Sequence, residues 1–385
     1  MPSFYRKEHI MSSIYIHIPF CIQKCLYCDF PSFAAKEALY IDYTQALITE
    51  IQKKSLLCQS QTIDTIFFGG GTPTVLPAFL LENIINTVFQ YYTVSKSAEI
   101  TIEANPGTLS DSLLSSLHTM GFNRISIGLQ AWQDSLLKEI GRIHNRYAFL
   151  QSFFAARKAG FENISIDVMF ALPGQSFSQW QETLYSIMTL QPEHISAYSL
   201  ILEEGTPLFD IWQKNQLSLP NEALDRAMYH FAQQILSKNQ YQQYEISNFA
   251  KKGFESRHNQ VYWKTLPYLG FGLGAHSFWE NKRFHNTYDI KKYIQCKGNP
   301  SLLTEETELL TSAQLQSEFL FMGLRMTKGI SAAEFEKRFG IPLHCVYKKQ
   351  LSFLIEQNLL QKQNDCYFLT PRGMDVSNTV FCQFL

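Results

Sequence analysis

The chain has 385 residues, 33 Lys and Arg against 34 Asp and Glu, a formal net charge of -1, and 45% hydrophobic residues. This composition excludes general disorder and supplies no basic footprint for nucleic acid. The length exceeds one average domain.

In chain order, the first 20 residues carry charges within positions 1–10 and no long apolar run, so neither a leader peptide nor a transmembrane helix is expected. Short runs rich in Ile, Val and Phe then predict strands at 13–19, 62–69, 98–104, 124–130, 163–172 and 194–202. Between them, helices are predicted at 38–57, 77–91, 110–120, 134–140, 146–159 and 176–190. Strands alternating with helices imply an α/β fold with parallel pairing and right-handed crossovers, and strands read as apolar on both faces fit a sheet wrapped by helices. Spacing alone leaves a partial barrel and a doubly wound sheet both open. Turn-forming and polar residues gather at the strand ends: FFGGGTPT, EANPGT, GLQAW and FALPGQ. Glu103, Gln130 and Asp167 sit within or just after apolar strands, where they need polar partners.

Beyond residue 222 the pattern changes. A helix at 222–238 leads into an aromatic and Gly-rich stretch, ESRHNQVYWKTLPYLGFGLGAHSF. Helices follow at 311–325 and 331–357, and 330–373 has the layout of a winged helix, but its candidate recognition helix has one Lys pair and much apolar surface, so DNA is not an expected partner. The predicted division is 12–215, 216–310 as a connecting region, and 311–385 as a smaller α+β module.

Of eight cysteines, three crowd into positions 21–28 and the others are scattered, which is no disulfide framework and points to a reducing cytoplasm. The spacing Cys21-x3-Cys25-x2-Cys28 lets three thiolates converge from one loop. On a four-iron cubane they leave one iron free, which the amino and carboxylate groups of S-adenosylmethionine can chelate. Structural zinc is the rival reading, with His17 as a fourth ligand, but the second cysteine pair is missing. Cys58, Cys296, Cys345, Cys366 and Cys382 lack local partners and read as small hydrophobes.

This cysteine spacing, with Tyr27 before the third cysteine and GGGTP after the second strand, resembles the radical S-adenosylmethionine superfamily. The resemblance implies a partial (βα)6 TIM-like barrel, a [4Fe-4S] cluster on Cys21, Cys25 and Cys28, and reductive release of methionine and an adenosyl radical. It also implies that Gly70, Gly71 and Thr72 hold the methionyl amino group. Glu103, Gln130 and Asp167 would serve the ribose, Arg142 would pair the carboxylate, and Tyr15 and Tyr27 would join them. Over nearly its whole length the chain is similar to the heme chaperone HemW family, relatives of oxygen-independent coproporphyrinogen III oxidase. Asp29-Phe30 stands after Cys28 where the oxidase pattern has x-Cys, and the first cluster cysteine is reached at position 21, before any long N-terminal arm. The element His258-Asn-Gln-Val-Tyr262-Trp263 resembles the family's heme-associated HNxxYW, with His276 a second imidazole to weigh.

The resemblance implies a carrier that binds heme and passes it to acceptor proteins, with no residue assigned a catalytic role. The alternative is radical decarboxylation of coproporphyrinogen III. Expected partners are heme, heme-acceptor proteins and an electron donor protein. A homodimer and peripheral membrane contact are compatible with the family; nucleic acid is not expected.

Overall fold

The computed structural model describes residues 11–58 and 61–385. The charged segment 1–10, used above to argue against a leader, lies outside the described residues. Six parallel strands follow one another in chain order: β1 (Ser12–Ile18), β2 (Thr62–Gly70), β3 (Thr93–Ala104), β4 (Arg124–Gln130), β5 (Ile164–Phe170) and β6 (His194–Ser199). Each pairs in parallel with the next. A doubly wound sheet would reverse this order at a switch point. Unbroken order with right-handed crossovers instead puts every helix on one face, which is the winding of a barrel.

The helices α1 (Tyr40–Lys54), α2 (Ala78–Tyr91), α3 (Asp111–Thr119), α4 (Asp134–Glu139), α5 (Arg146–Lys158) and α6 (Phe177–Thr189) fill the crossovers. Their starts obey local rules: Asn145 caps α5, and Ser176 with Gln179 forms a capping box on α6. On α2, Leu80, Leu81, Ile84, Ile85 and Val88 recur at helical spacing and pack against the sheet.

The strands are not apolar on both faces, as expected from their composition. Ile14, Ile16 and Ile18 of β1, Ile100 and Ile102 of β3, Ile125, Ile127 and Leu129 of β4, and Ile164, Ile166 and Val168 of β5 lie in the core beneath the helices. The intervening residues are Tyr15, His17, Glu103, Arg124, Ser126, Asp167 and Ser196, and they turn the other way. Period-two alternation therefore builds a polar inner face. β3 also starts five residues before the predicted 98, because Thr93 and Val94 pair with Thr62 and Ile63 although TVSKS carries no apolar pattern.

Residues 216–310 extend both edges of this sheet. Next to β6 lie the antiparallel strands Asn248–Ala250 and Gln242–Gln243. Next to β1 lies Tyr268–Phe271, parallel to it, followed by the antiparallel strands His276–Trp279, Lys282–Asn286 and Thr304–Leu309. Met228, Phe249, Leu269, Phe271 and Tyr293 join the barrel's own apolar core. At the C-terminus, helices Ser312–Gly323, Ala332–Phe339 and Leu343–Glu356 and the sheet of Ile330–Ser331, Cys366–Leu369 and Leu360–Gln363 surround a second core containing Phe335, Leu351 and Leu354. Gly340, at φ +71°, ends the middle helix in a left-handed cap. Among the described residues, no helix is long and apolar enough to cross a membrane.

Candidate functional site

Leaving β1, the chain forms a short parallel bridge, Phe20–Cys21 with Phe33–Ala34, which closes the cysteine loop at its base. All three cysteines are free and line one cleft of ≈ 150 Å³ at the C-terminal ends of the strands. Burial raises the thiol pKa of Cys21 and Cys28, so without a cation both favour the protonated form. Among the described residues no three His, Cys, Asp or Glu side chains close on a single ion. A cubane makes no such demand, because each cysteine takes a different iron.

His17, the proposed fourth zinc ligand, is committed elsewhere. Its Nε2 donates to the Pro31 carbonyl at 2.8 Å, which leaves Nδ1 to accept from the Tyr15 hydroxyl at 3.0 Å. Burial holds its pKa down at about 4, so the ring is neutral at physiological pH. The donor set therefore fits the cluster and not zinc.

The glycine run at the end of β2 has a packing reason. A Cβ on Gly71 would stand 2.7 Å from the Phe20 carbonyl oxygen and 3.0 Å from Cys21 Sγ, and one on Gly70, at φ +111°, would meet the His17 ring at 2.5 Å. Gly71 N–H donates to Ile18 O at 2.9 Å and Thr72 N–H to Phe20 O at 2.7 Å, tying the run to the cysteine loop. With these amides engaged, an ammonium group would be met by carbonyl oxygens, the acceptors it needs. Gly71→Ala is expected to push the Phe20–Cys21 backbone aside. Iron and sulfide analysis after anaerobic reconstitution should give at most about half the wild-type content, since backbone atoms cannot give way as a side-chain end can; full occupancy would contradict this packing role.

Thr72 and Arg142 are joined through Asn105, a residue the sequence reading did not single out. Asn105 Nδ2 donates to Thr72 Oγ1 at 2.7 Å, and its Oδ1 accepts from Arg142 Nη2 at 2.6 Å. Arg142 also donates to the Gly128 carbonyl at 2.6 Å, and its Nη1 lies 3.4 Å from Cys25 Sγ. Its Nε is buried without a partner. A guanidinium beside the cysteines with a donor to spare suits a carboxylate. Gln130, at φ +70°, accepts from the Tyr198 hydroxyl at 3.0 Å. Tyr27 lies by Arg142, Cys25 and Tyr198, its phenol pKa raised chiefly by burial.

Glu103 and Asp167 line the same cleft. Asp167 accepts from Ser126 Oγ at 2.9 and 3.1 Å and from Ser165 Oγ at 3.3 Å, and burial still raises its pKa. Glu103 accepts from Gly70 N–H at 3.2 Å, and burial, with the Asp167 charge second, lifts its pKa to about 8. Above its unfolded value a carboxyl raised in this way holds a proton when folded that the unfolded chain has released. Stability from this group therefore falls as pH climbs from the unfolded value through about 8. Glu103→Gln is expected to make the ligand-free protein more resistant to urea than wild type at pH 8, with the gap closing near pH 4; equal midpoints at pH 8 would refute the raised carboxyl.

His258 lies away from the cysteines. It sits on the short helix Arg257–Trp263, beneath the inner face of β1 and β2, and is 1% exposed. Its ring stacks on Phe67 at 4.9 Å. Nδ1 meets Thr65 Oγ1 at 2.7 Å and Nε2 the Tyr262 hydroxyl at 2.8 Å, while burial depresses its pKa to about 3. Glu99 caps this helix by accepting from the Arg257 and His258 amides at 2.9 and 3.0 Å. In this arrangement both ring nitrogens are engaged, and the neutral histidine braces the barrel floor. His276 is exposed on the hairpin beside Tyr268–Phe271, with Nε2 2.8 Å from the Tyr288 hydroxyl.

Two family profiles match: "Radical SAM superfamily" over residues 15–186 and "HemN C-terminal domain" over residues 310–376. The heme chaperone HemW of Bacillus subtilis is 37% identical over 97% of this chain and 99% of its own. The chain belongs to the heme chaperone HemW family. HemW of Lactococcus lactis is 36% identical over 97% of both chains. Among solved structures, coproporphyrinogen III oxidase (HemN) from Escherichia coli superposes with a TM-score of 0.85, covering 99% of this chain and 91% of its own at 21% identity, a likeness of fold. Membership of the radical SAM superfamily implies a [4Fe-4S] cluster and S-adenosylmethionine. In this HemW-family chain, Asn105, Ser126 and Tyr198 reach the cleft unforeseen. Asn105 follows Glu103 at a strand end, and Ser126 shares strand parity with Gln130, signals that alternation could have revealed.

Proposed function

We propose that the chain is a heme chaperone that binds heme and transfers it to acceptor proteins, carrying the cluster and S-adenosylmethionine. The observation that carries this reading is the 36–37% identity, over 97% of the chain, to proteins named heme chaperone HemW. Cys21, Cys25 and Cys28 would each hold one iron. Gly70, Gly71 and Thr72 would meet the amino group of S-adenosylmethionine, and Arg142, with its unpartnered Nε, its carboxylate. Glu103, Gln130 and Asp167 would bind the ribose, with Tyr27 alongside. Tyr15 would act at one remove, by fixing the His17 tautomer against Gly70. When bound, the cluster and S-adenosylmethionine supply one-electron reductive chemistry, fed by an electron donor protein.

A second reading, decarboxylation of coproporphyrinogen III, is favoured by the chamber of ≈ 450 Å³ that continues from the cleft into the barrel. Anaerobically reconstituted protein separates the two. Under the carrier reading, heme co-elutes on gel filtration and moves to apomyoglobin, and coproporphyrinogen III with reductant yields no protoporphyrinogen. Failure to retain heme, or substantial turnover, would overturn it.

A further inference from the structure

Along β4 the residues facing the barrel interior are Arg124, Ser126, Gly128 and Gln130. Arg124 therefore shares a face with Gln130 but lies six residues deeper, roughly 20 Å along the strand. It is 2% exposed, and its Nε is buried without a hydrogen-bond partner. Among the described residues its guanidinium closes no ion pair. A guanidinium stays charged at any physiological pH, and a buried charge without a partner is heavily penalised.

Glu103 and Asp167 line the same chamber and feel the Arg124 charge through space, but neither closes an ion pair with it. Glu103 is held by the Gly70 amide, Asp167 by Ser126 and Ser165, and Glu99 by the helix that carries His258. The histidines on the same floor are also occupied: His194 meets Ser165 Oγ at 2.8 Å and the Tyr244 hydroxyl at 2.9 Å, and His258 is bonded at both nitrogens. Arg124 lines the ≈ 450 Å³ chamber together with Phe67, Met169, Tyr198 and Ile201, and this chamber continues from the cleft shared by the cysteines. A single buried cation at the end of a partly apolar chamber suits a flat, largely apolar body bearing a carboxylate.

We infer that Arg124 anchors a propionate of the tetrapyrrole, held in the barrel lumen on the far side of the S-adenosylmethionine cleft. This deepens the heme-chaperone reading and rests on it for the identity of the ligand. It moves recognition from His258, which braces the floor, to the guanidinium above it.

The test uses reconstituted full-length protein and fluorescence titration with mesoporphyrin IX, which keeps both propionates but has no iron, against its dimethyl ester. Wild type is expected to bind the diacid about tenfold or more tighter than the ester, as one charge-assisted pair allows. Arg124→Gln should erase that preference and leave ester affinity as it was, while Arg124→Lys should keep part of it. Equal diacid affinity in wild type and Arg124→Gln, or no binding of either porphyrin by wild type, would overturn the inference. Circular dichroism and cluster absorbance monitor folding; should Arg124→Gln not fold, Arg124→Lys and the acid–ester comparison in wild type decide. Failure of heme transfer to apomyoglobin with the acid–ester preference intact sinks the chaperone reading alone, and intact transfer without that preference sinks this inference alone.

Discussion

Cys25→Ala is expected to abolish the broad brown absorbance of the reconstituted protein, with iron and acid-labile sulfide falling to background. With two thiolates left, a second iron loses its protein ligand and the cubane has no stable seat in the loop. The fold should persist. Cys25 is only partly buried, and its Sγ lies 3.4 Å from Arg142 Nη1. Unfolding stability should therefore shift by no more than about 1–2 kcal/mol, as for substitutions outside a packed core. Cys58→Ala is the matching control: that thiol is buried in the barrel core, its pKa pushed up to about 12 by burial alone, and the absorbance should survive its loss. A Cys21/Cys25/Cys28 triple alanine variant that still turns brown would refute the cluster assignment.

Lys54→Met is expected to destabilise the protein by about 3–5 kcal/mol, because it leaves a buried carboxylate without its cation. Lys54 and Glu50 are both buried on α1, their ion pair 2.6 Å long. Lys54 Nζ also donates to Asn286 Oδ1 at 3.1 Å and to the Gly270 carbonyl at 3.3 Å, which uses all three of its protons. Glu50 accepts from Asn286 Nδ2 and the Tyr293 hydroxyl, each at 2.6 Å, and from Gly272 N–H at 3.0 Å. This network pins the strand Tyr268–Phe271 and its hairpin to α1, and so closes the β1 edge of the sheet. Tyr43 continues it to β1 itself, its hydroxyl donating to the His17 carbonyl at 2.7 Å. Loosening it should also loosen the turn that presents Cys21. Urea unfolding of the reconstituted protein checks the magnitude, and a loss under about 1 kcal/mol would show that the pair is dispensable. Lys54→Met with Glu50→Leu should cost less than the two single losses summed, as expected of residues in one network.

Much of the barrel was legible because its signals are local. The six strands came from apolar runs and the helices from the longer segments between them, most within a few residues of the observed limits. The convergence of Cys21, Cys25 and Cys28 on one cleft was legible for the same reason, since they lie within eight positions. The polar inner face was misjudged, although Tyr15-Ile-His17-Ile and Ser165-Ile-Asp167-Val alternate plainly. Composition was read as burial on both faces, where period two meant one apolar face and one polar. The heme expectation at His258 rests on its motif alone. No local pattern could reveal that Thr65, from β2, and Tyr262 would occupy both its nitrogens.

The sequence by itself determined the grouping of three thiols on one loop and the order of the βα units, because both depend on neighbours along the chain. Tertiary structure decided what the distant residues do. It brought Asn105 between Thr72 and Arg142, separated by 33 and 37 positions, and seated Lys54 against Asn286 across 232. It also left Arg124 buried with no carboxylate in ion-pair contact. Whether a charge is paired depends on which strands become neighbours in the barrel. That pairing is set by burial of the apolar faces, and the polar faces have to accept whatever company it brings.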